Sequence, residues 1–296
     1  MMNRFIKKIE IISLILWFIS CDKVFQPAED SQPAEDKTIY RYYLEYQEAR
    51  YYSSNGELEY TSVVDNKYEG CKILSSTSTI KYEDGTTLTI TTKYEYAGLI
   101  CKSLSKQYLQ EETIYSIEGT TEYLDNTYRH IRHATTKVIN KDGSPYTFSD
   151  DEKNYDGKCI NQSKVQYYNY INGEITPSGY SITTYDTNGL HQVGKCQNFD
   201  ANGNLISIYS IEDTYLNDDY WNCTESIITW HSNGGHNSRV VSNYDDSNRV
   251  IESRAYSDKK LQQQYTYVYD GDNCSISGFT GDLTIEGVSR YIKVPY

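Results

Sequence analysis

Phe199-Asp200-Ala201-Asn202-Gly203-Asn204-Leu205 is the stretch on which the fold turns. Asn-Gly readily takes positive φ at both central positions of a type I′ turn, so Asn202-Gly203 between an aromatic and an apolar residue predicts a tight hairpin. The same signal returns at Asn55-Gly56, Asp84-Gly85, Glu118-Gly119, Asp142-Gly143, Asn172-Gly173 and Asn233-Gly234. An aromatic residue often stands just ahead, as do Tyr82, Tyr115, Tyr170 and Trp230. Neighbouring signals lie roughly 30 residues apart, a period that points to repeat architecture.

A second kind of turn alternates with the first. It opens on tyrosine and closes on a compact apolar residue, as in Tyr68-Glu69-Gly70-Cys71, Tyr155-Asp156-Gly157-Lys158-Cys159 and Tyr269-Asp270-Gly271-Asp272-Asn273-Cys274. The stretch from Tyr215 to Cys223 aligns without gaps on that from Tyr123 to Ile131, so Ile131 takes the place of a cysteine. Val250 does the same after Tyr244. The expected ladder is Cys71, Cys101, Ile131, Cys159, Cys196, Cys223, Val250 and Cys274.

Two interleaved ladders imply about eight units of two strands, each strand roughly 10 residues long. The expected fold is all-β: a long antiparallel meander whose twisted sheet either spirals or closes on itself. The repeat domain is expected over 39–277. The segment 278–296 loses the turn pattern and is expected to cap the final edge strand. A transmembrane barrel is disfavoured, because the strands carry no alternating lipid-facing apolar row.

Composition agrees. Tyrosine accounts for 32 of 296 residues, against six Phe and two Met; tyrosine with β-branched residues suits a pleated, half-buried surface. The formal charge of −13 argues against a phosphate-backbone partner, so no nucleic acid is expected. Isoleucine and valine stand at positions equivalent to the repeat cysteines, which marks these as sites for compact apolar side chains. Equivalent positions on successive hairpins of a flat meander lie about 9.5 Å apart, beyond the roughly 7 Å Cα separation a disulfide tolerates. Free thiols are therefore expected.

Three turns resemble the YD repeats of Rhs-type bacterial surface and toxin-delivery proteins. They are Tyr185-Asp186-Thr187-Asn188-Gly189-Leu190, Phe199 to Leu205, and Tyr244-Asp245-Asp246-Ser247-Asn248-Arg249-Val250. The resemblance is clearest over 185–275 and implies a long, twisted sheet of consecutive hairpins. With no self-cleavage motif and no toxin-like extension in view, it does not imply a delivery role.

The N-terminus carries a separate message. Arg4, Lys7 and Lys8 precede an apolar run from Ile9 to Ile19 that is too short to span a bilayer. It ends in Phe18-Ile19-Ser20-Cys21, which resembles the lipobox of bacterial lipoproteins. The resemblance implies a signal peptide over 1–20, acylation of Cys21, palmitate included, and a membrane partner reached through that lipid. Residues 21–38 contain the duplication Gln26-Pro27-Ala28-Glu29-Asp30-Ser31 and Gln32-Pro33-Ala34-Glu35-Asp36, an acidic, proline-containing tether with too little apolar surface to order itself.

Functional candidates are few. His130 and His133 are close in sequence, with His231 and His236 elsewhere, but a metal needs three or four converging ligands. The acidic turns at 200–203 and 270–273 lack the full spacing of a calcium loop. No phosphate loop, nucleophile elbow or zinc-protease motif appears, and no cofactor is expected. Tyr167, Tyr168 and Tyr170, with Tyr265, Tyr267 and Tyr269, read either as a stacked cross-strand ladder or as an exposed stripe for a glycan or protein ligand. The expectation is a non-enzymatic lipoprotein that binds or scaffolds in the bacterial cell envelope, periplasmic or surface-exposed. The alternative is an envelope enzyme acting on glycans through paired carboxylates.

Overall fold

The computed structural model describes residues 40–295, except 126, 127, 129, 158, 172, 173, 217–221, 232–236 and 248. The signal segment, Cys21, the tether, His236 and the turns at Asn172-Gly173 and Asn233-Gly234 lie outside the described residues.

The chain forms one antiparallel sheet of 18 strands. The first six are β1 (Tyr40–Tyr52), β2 (Leu58–Glu69), β3 (Lys72–Tyr82), β4 (Thr87–Ala97), β5 (Ile100–Leu109) and β6 (Glu112–Tyr123). Next come β7 (Ile131–Asn140), β8 (Pro145–Asp156), β9 (Cys159–Ile171), β10 (Glu174–Asn188), β11 (His191–Asp200) and β12 (Leu205–Tyr215). The last are β13 (Cys223–Trp230), β14 (Asn237–Tyr244), β15 (Val250–Ser257), β16 (Lys260–Asp270), β17 (Asn273–Thr280) and β18 (Leu283–Pro295). Every strand pairs with its neighbours in sequence, and β18 pairs with β1 from Tyr52↔Thr284 to Tyr40↔Pro295. The meander therefore closes into a barrel, which removes the edges an open sheet would expose. The segment 278–296, expected as a cap on an edge strand, instead supplies the end of β17 and the closing strand β18, which is paired on both sides.

Hairpins turn at Asn55-Gly56, Asp84-Gly85, Asp142-Gly143 and Asn202-Gly203, but only the glycines are left-handed, with φ near +80°, so these are not the type I′ turns expected. Glu118-Gly119 is a correction, because it lies inside β6. The turn before β6 is made by Gln110 and Glu111, at φ 49° and 71°, and that between β15 and β16 by Asp258 and Lys259, at 47° and 70°. The bends between these strands impose the left-handed conformation on residues that do not favour it.

Alternation along each strand separates two faces. The buried residues are Tyr60, Ser62, Val64 and Asn66 on β2 and Ser76, Ser78 and Ile80 on β3, directly paired across the ladder. Crowding of side chains is greatest on the concave side of a closed sheet, so this is the inner face. Its apolar packing gathers in two places. Ala49, Tyr265, Cys274, Ile276 and Ile285 form one cluster, and Tyr60, Ile80 and Leu88 the other. Gly278 and Gly287 sit beside the first cluster where the backbone of the next strand leaves no room for a Cβ.

The outer face is charged to mid-strand. Glu118 pairs with Lys137 across β6 and β7 (3.8 Å), and Glu225 with Arg239 across β13 and β14 (2.6 Å). Asp65, Lys67, Lys93, Glu95, Lys102 and Lys106 point the same way, opposite in parity to the buried row. Placing such cations at the middle of a bilayer would cost about 2–4 kcal/mol each.

Candidate functional site

The tyrosine-led turns share one end of the barrel, the end at which the chain enters β1. Tyr68, Tyr96, Tyr123, Tyr155, Tyr215, Tyr244 and Tyr269 stand opposite Ile73, Cys101, Ile131, Ile160, Cys223, Val250 and Cys274. In five of these hairpins a β-bulge falls directly beside the tyrosine, and a bulge leaves a backbone group without its ladder partner. The next hairpin supplies one. Tyr155 Oη donates to the carbonyl of Ile131 (2.9 Å), Tyr244 Oη to that of Cys223 (2.9 Å) and Tyr269 Oη to that of Val250 (3.1 Å). Gln192 Nε2 does the same for Ile160 (2.9 Å), and Asn66 Nδ2 for Leu44 beside the bulge in β1 (2.9 Å). The Asp of the motif serves its own turn, since Asp245 Oδ1 accepts from the backbone N–H of Ser247 and Arg249 (both 2.9 Å). Arg249 then lies over the ring of Tyr269, 4.4 Å from its centroid. These bonds staple four of the five bulged hairpins to the hairpin that follows.

Three of the ladder positions read from sequence are displaced, two of them beside bulges. Cys71 lies in the turn itself, Cys159 pairs with Asp156 one residue short of the inner position, and Cys196 lies deeper on β11, opposite Tyr209. Ile73 and Ile160 hold the inner positions instead. Tyr185 faces Gly194, whose missing side chain leaves room for the tyrosine ring. All six repeat cysteines are free thiols.

The tyrosine candidates divide between the faces. Tyr265 is buried, and Tyr267 and Tyr269 pack against the same inner cluster; these three are packing residues, the cross-strand reading. Tyr167 also points inward. Tyr168 and Tyr170 point outward, where Tyr168 packs on Phe148 of β8 (ring centroids 5.4 Å) and stands opposite Pro177, and Tyr170 stands opposite Ile175. Tyr180 continues the row, stacked on Phe199 of β11 at 4.7 Å and 15°, and Phe199 is opposite Leu205. Two bulge residues extend the band, Tyr146 at 60% and Ile206 at 66% exposure, with Ile175 at 54%. The result is an uncharged aromatic and aliphatic band across five strands, at the Asn-Gly end opposite the chain's entry. Gln166 and Gln197 flank it on the same face. Sequence reading found Tyr168 and Tyr170 but missed Tyr146, Tyr180 and Phe199. Period-two spacing relates Tyr146 to Phe148, but only the inter-strand register brings the five strands' contributions together.

The other candidates do not converge. His130 Nδ1 lies 2.9 Å from Asp125 Oδ2 near the turn, whereas His133 Nε2 meets Asp150 Oδ1 on the outer face (2.6 Å). Asp200 is engaged by its own turn, accepting from the N–H of Asn202 and Asn204 and from Asn204 Nδ2. Those bonds hold its carboxyl below the usual range. Among the described residues no His, Cys, Asp and Glu gather to hold a metal. Among the described residues, Asp151 and Asp213 face inward along the strands. Asp151 is held by Lys153 (3.3 Å) and by the Ser163 hydroxyl (3.1 Å). The two acids stand on β8 and β12, four strands apart in the sheet, and Tyr185 lies within electrostatic reach of both.

No protein-family model matches the chain, and no curated protein matches it. Among solved structures it is similar to a porin-like protein from Bacteroides uniformis, with a TM-score of 0.45 and 10% identity over 83% of this chain and 96% of that one.

Proposed function

We propose that this protein is a non-enzymatic, lipid-anchored binding protein of a bacterial cell envelope, and that its outer aromatic band takes neutral glycans. The observation that carries the reading is the band itself. It combines flat aromatic faces for sugar C–H groups with phenol tips, the Gln166 amide oxygen and the Gln197 amide for hydroxyls, and its own members carry no charge, with Lys137 and Asp150 at its border. The chain's net negative charge favours neutral over anionic ligands.

The anchor fits the same picture. Acylation at Cys21 would tether the barrel through residues 22–39, a span of at most about 65 Å when fully extended. The tether joins β1 at the tyrosine-turn end, which leaves the aromatic band at the far end, directed away from the bilayer. The charged outer face suits a barrel standing on a membrane rather than in one.

A glycan array probed with the purified chain tests the reading, with Tyr146→Ala and Tyr180→Ala compared on every hit. Selective retention of neutral glycans that both substitutions weaken is the expected result. Absence of any hit, or hits indifferent to both substitutions, would sink the proposal. Protease shaving of intact and lysed producing cells then separates a surface from a periplasmic location.

A further inference from the structure

The inner wall of β3–β6 holds a recess that plays no part in the aromatic band. Its floor is two rows of paired residues. Ser76, Thr92, Ser105 and Ile117 make one row; Ser78, Ile90, Gln107 and Tyr115 make the other. Four of the eight are Ser or Thr, and between the rows lies a cavity of about 50 Å³. One water needs roughly 10–15 Å³, so the space suits a small molecule of several heavy atoms.

The polar atoms around it are out of balance. Gln107 is 4% exposed, and its Oε1 is buried without a hydrogen-bond partner. Asn66, paired with Ser76, has its Nδ2 committed to the Leu44 carbonyl while its buried Oδ1 likewise has no partner. A buried amide oxygen left unpaired is destabilising, and both of these oxygens can only accept. Thr92 and Ser105 bond each other at 2.7 Å, which leaves their remaining lone pairs as further acceptors. No lining residue is charged, so the site offers nothing to hold an ion. Ile90, Ile117 and the Tyr115 ring supply apolar walls.

We propose that this recess binds a small neutral polyol, with ligand hydroxyls donating to Gln107 Oε1 and its carbon skeleton lying against Ile90, Ile117 and Tyr115. A polyol offers hydroxyl donors along one edge and C–H groups along the other, matching acceptors and apolar walls together. The proposal does not depend on the outer band.

Saturation-transfer NMR on the full chain tests it, with glycerol as probe and 1-propanol as the three-carbon control with a single hydroxyl. Gln107→Leu removes the acceptor at similar volume, and Ser78→Val fills the recess from the opposite side. Transfer to glycerol well above that to 1-propanol is expected, with each substitution weakening glycerol binding about tenfold or more. Without ligand, Gln107→Leu should melt no lower than the parent, because the leucine leaves no unpaired oxygen. Equal transfer to the two probes, no transfer to glycerol, or glycerol binding unchanged in Ser78→Val would overturn the proposal.

Discussion

Tyr155→Phe removes one oxygen and nothing else from the inter-hairpin staple. The phenol donates to the Ile131 carbonyl at 2.9 Å, beside the bulge between β6 and β7. A hydrogen bond of this kind contributes roughly 0.5–1.5 kcal/mol net, and a buried acceptor left unpaired costs about 1–3 kcal/mol. The site is only partly buried, so water recovers part of the loss and about 1–2 kcal/mol is expected for the substitution. In a domain of this size each kcal/mol moves Tm by about 2–4 °C, which sets the expected drop near 2–8 °C. Tyr244→Phe breaks the matching bond to Cys223 six strands away, far enough for the two effects to add. The assay is thermal unfolding followed by circular dichroism, with Tyr146→Phe as the control, because that exposed phenol should change stability by less than about 0.5 kcal/mol. If the double variant melts like Tyr146→Phe, the phenols do not hold the bulges and the staples carry no stability.

The same packing sets three further expectations. Burial pushes the Tyr123, Tyr155, Tyr185 and Tyr265 phenols up to about 12, from about 10 in an unfolded chain. Their raised values leave stability intact below about pH 10 and erode it progressively as pH climbs towards about 12. Phenolate absorbance should show these groups ionising late and together with unfolding; ionisation near pH 10 in a still-folded barrel would contradict the assignment. Gly278→Ala drives a Cβ into the Gln264 backbone carbonyl, whereas at Gly119 the obstacle is the movable Ser103 hydroxyl. Urea unfolding should therefore show a loss of about 3 kcal/mol or more for Gly278→Ala and under about 1 kcal/mol for Gly119→Ala. Finally, a thiol reagent should label the half-buried Cys71, Cys159 and Cys223 in the folded chain. Cys101, Cys196 and Cys274 should react only after unfolding, since burial raises the Cys101 thiol and lifts Cys274 to about 11.

What could be read from sequence was local. Asn202-Gly203 and its relatives announce hairpins because glycine readily supplies the left-handed residue that closes a tight turn, and a run of hairpins without helical signal reads as a meander. The rule fails where geometry overrides chemistry. Glu118-Gly119 carries the dipeptide but lies mid-strand, while Gln110-Glu111 and Asp258-Lys259 turn without glycine because the paired strands on either side leave them no other path. The bulges were equally out of reach. One extra residue beside Tyr68 or Tyr155 reverses the face on which each later residue of the ladder falls, so Ile73 and Ile160 displace Cys71 and Cys159 from the inner position.

Closure belongs to tertiary structure alone. Strand β18 meets β1 across more than 230 residues, a pairing that no window of sequence contains. Closure also gives each face its meaning, because an alternating strand specifies two sides but not which is concave. Only the closed sheet buries Tyr265, Tyr267 and Tyr269 as packing, turns Tyr168 and Tyr170 outward beside Tyr180 and Phe199, and gathers Gln107 with serines from neighbouring strands around a recess. The residue types and turns are properties of short segments, whereas the sites they form are properties of register and curvature.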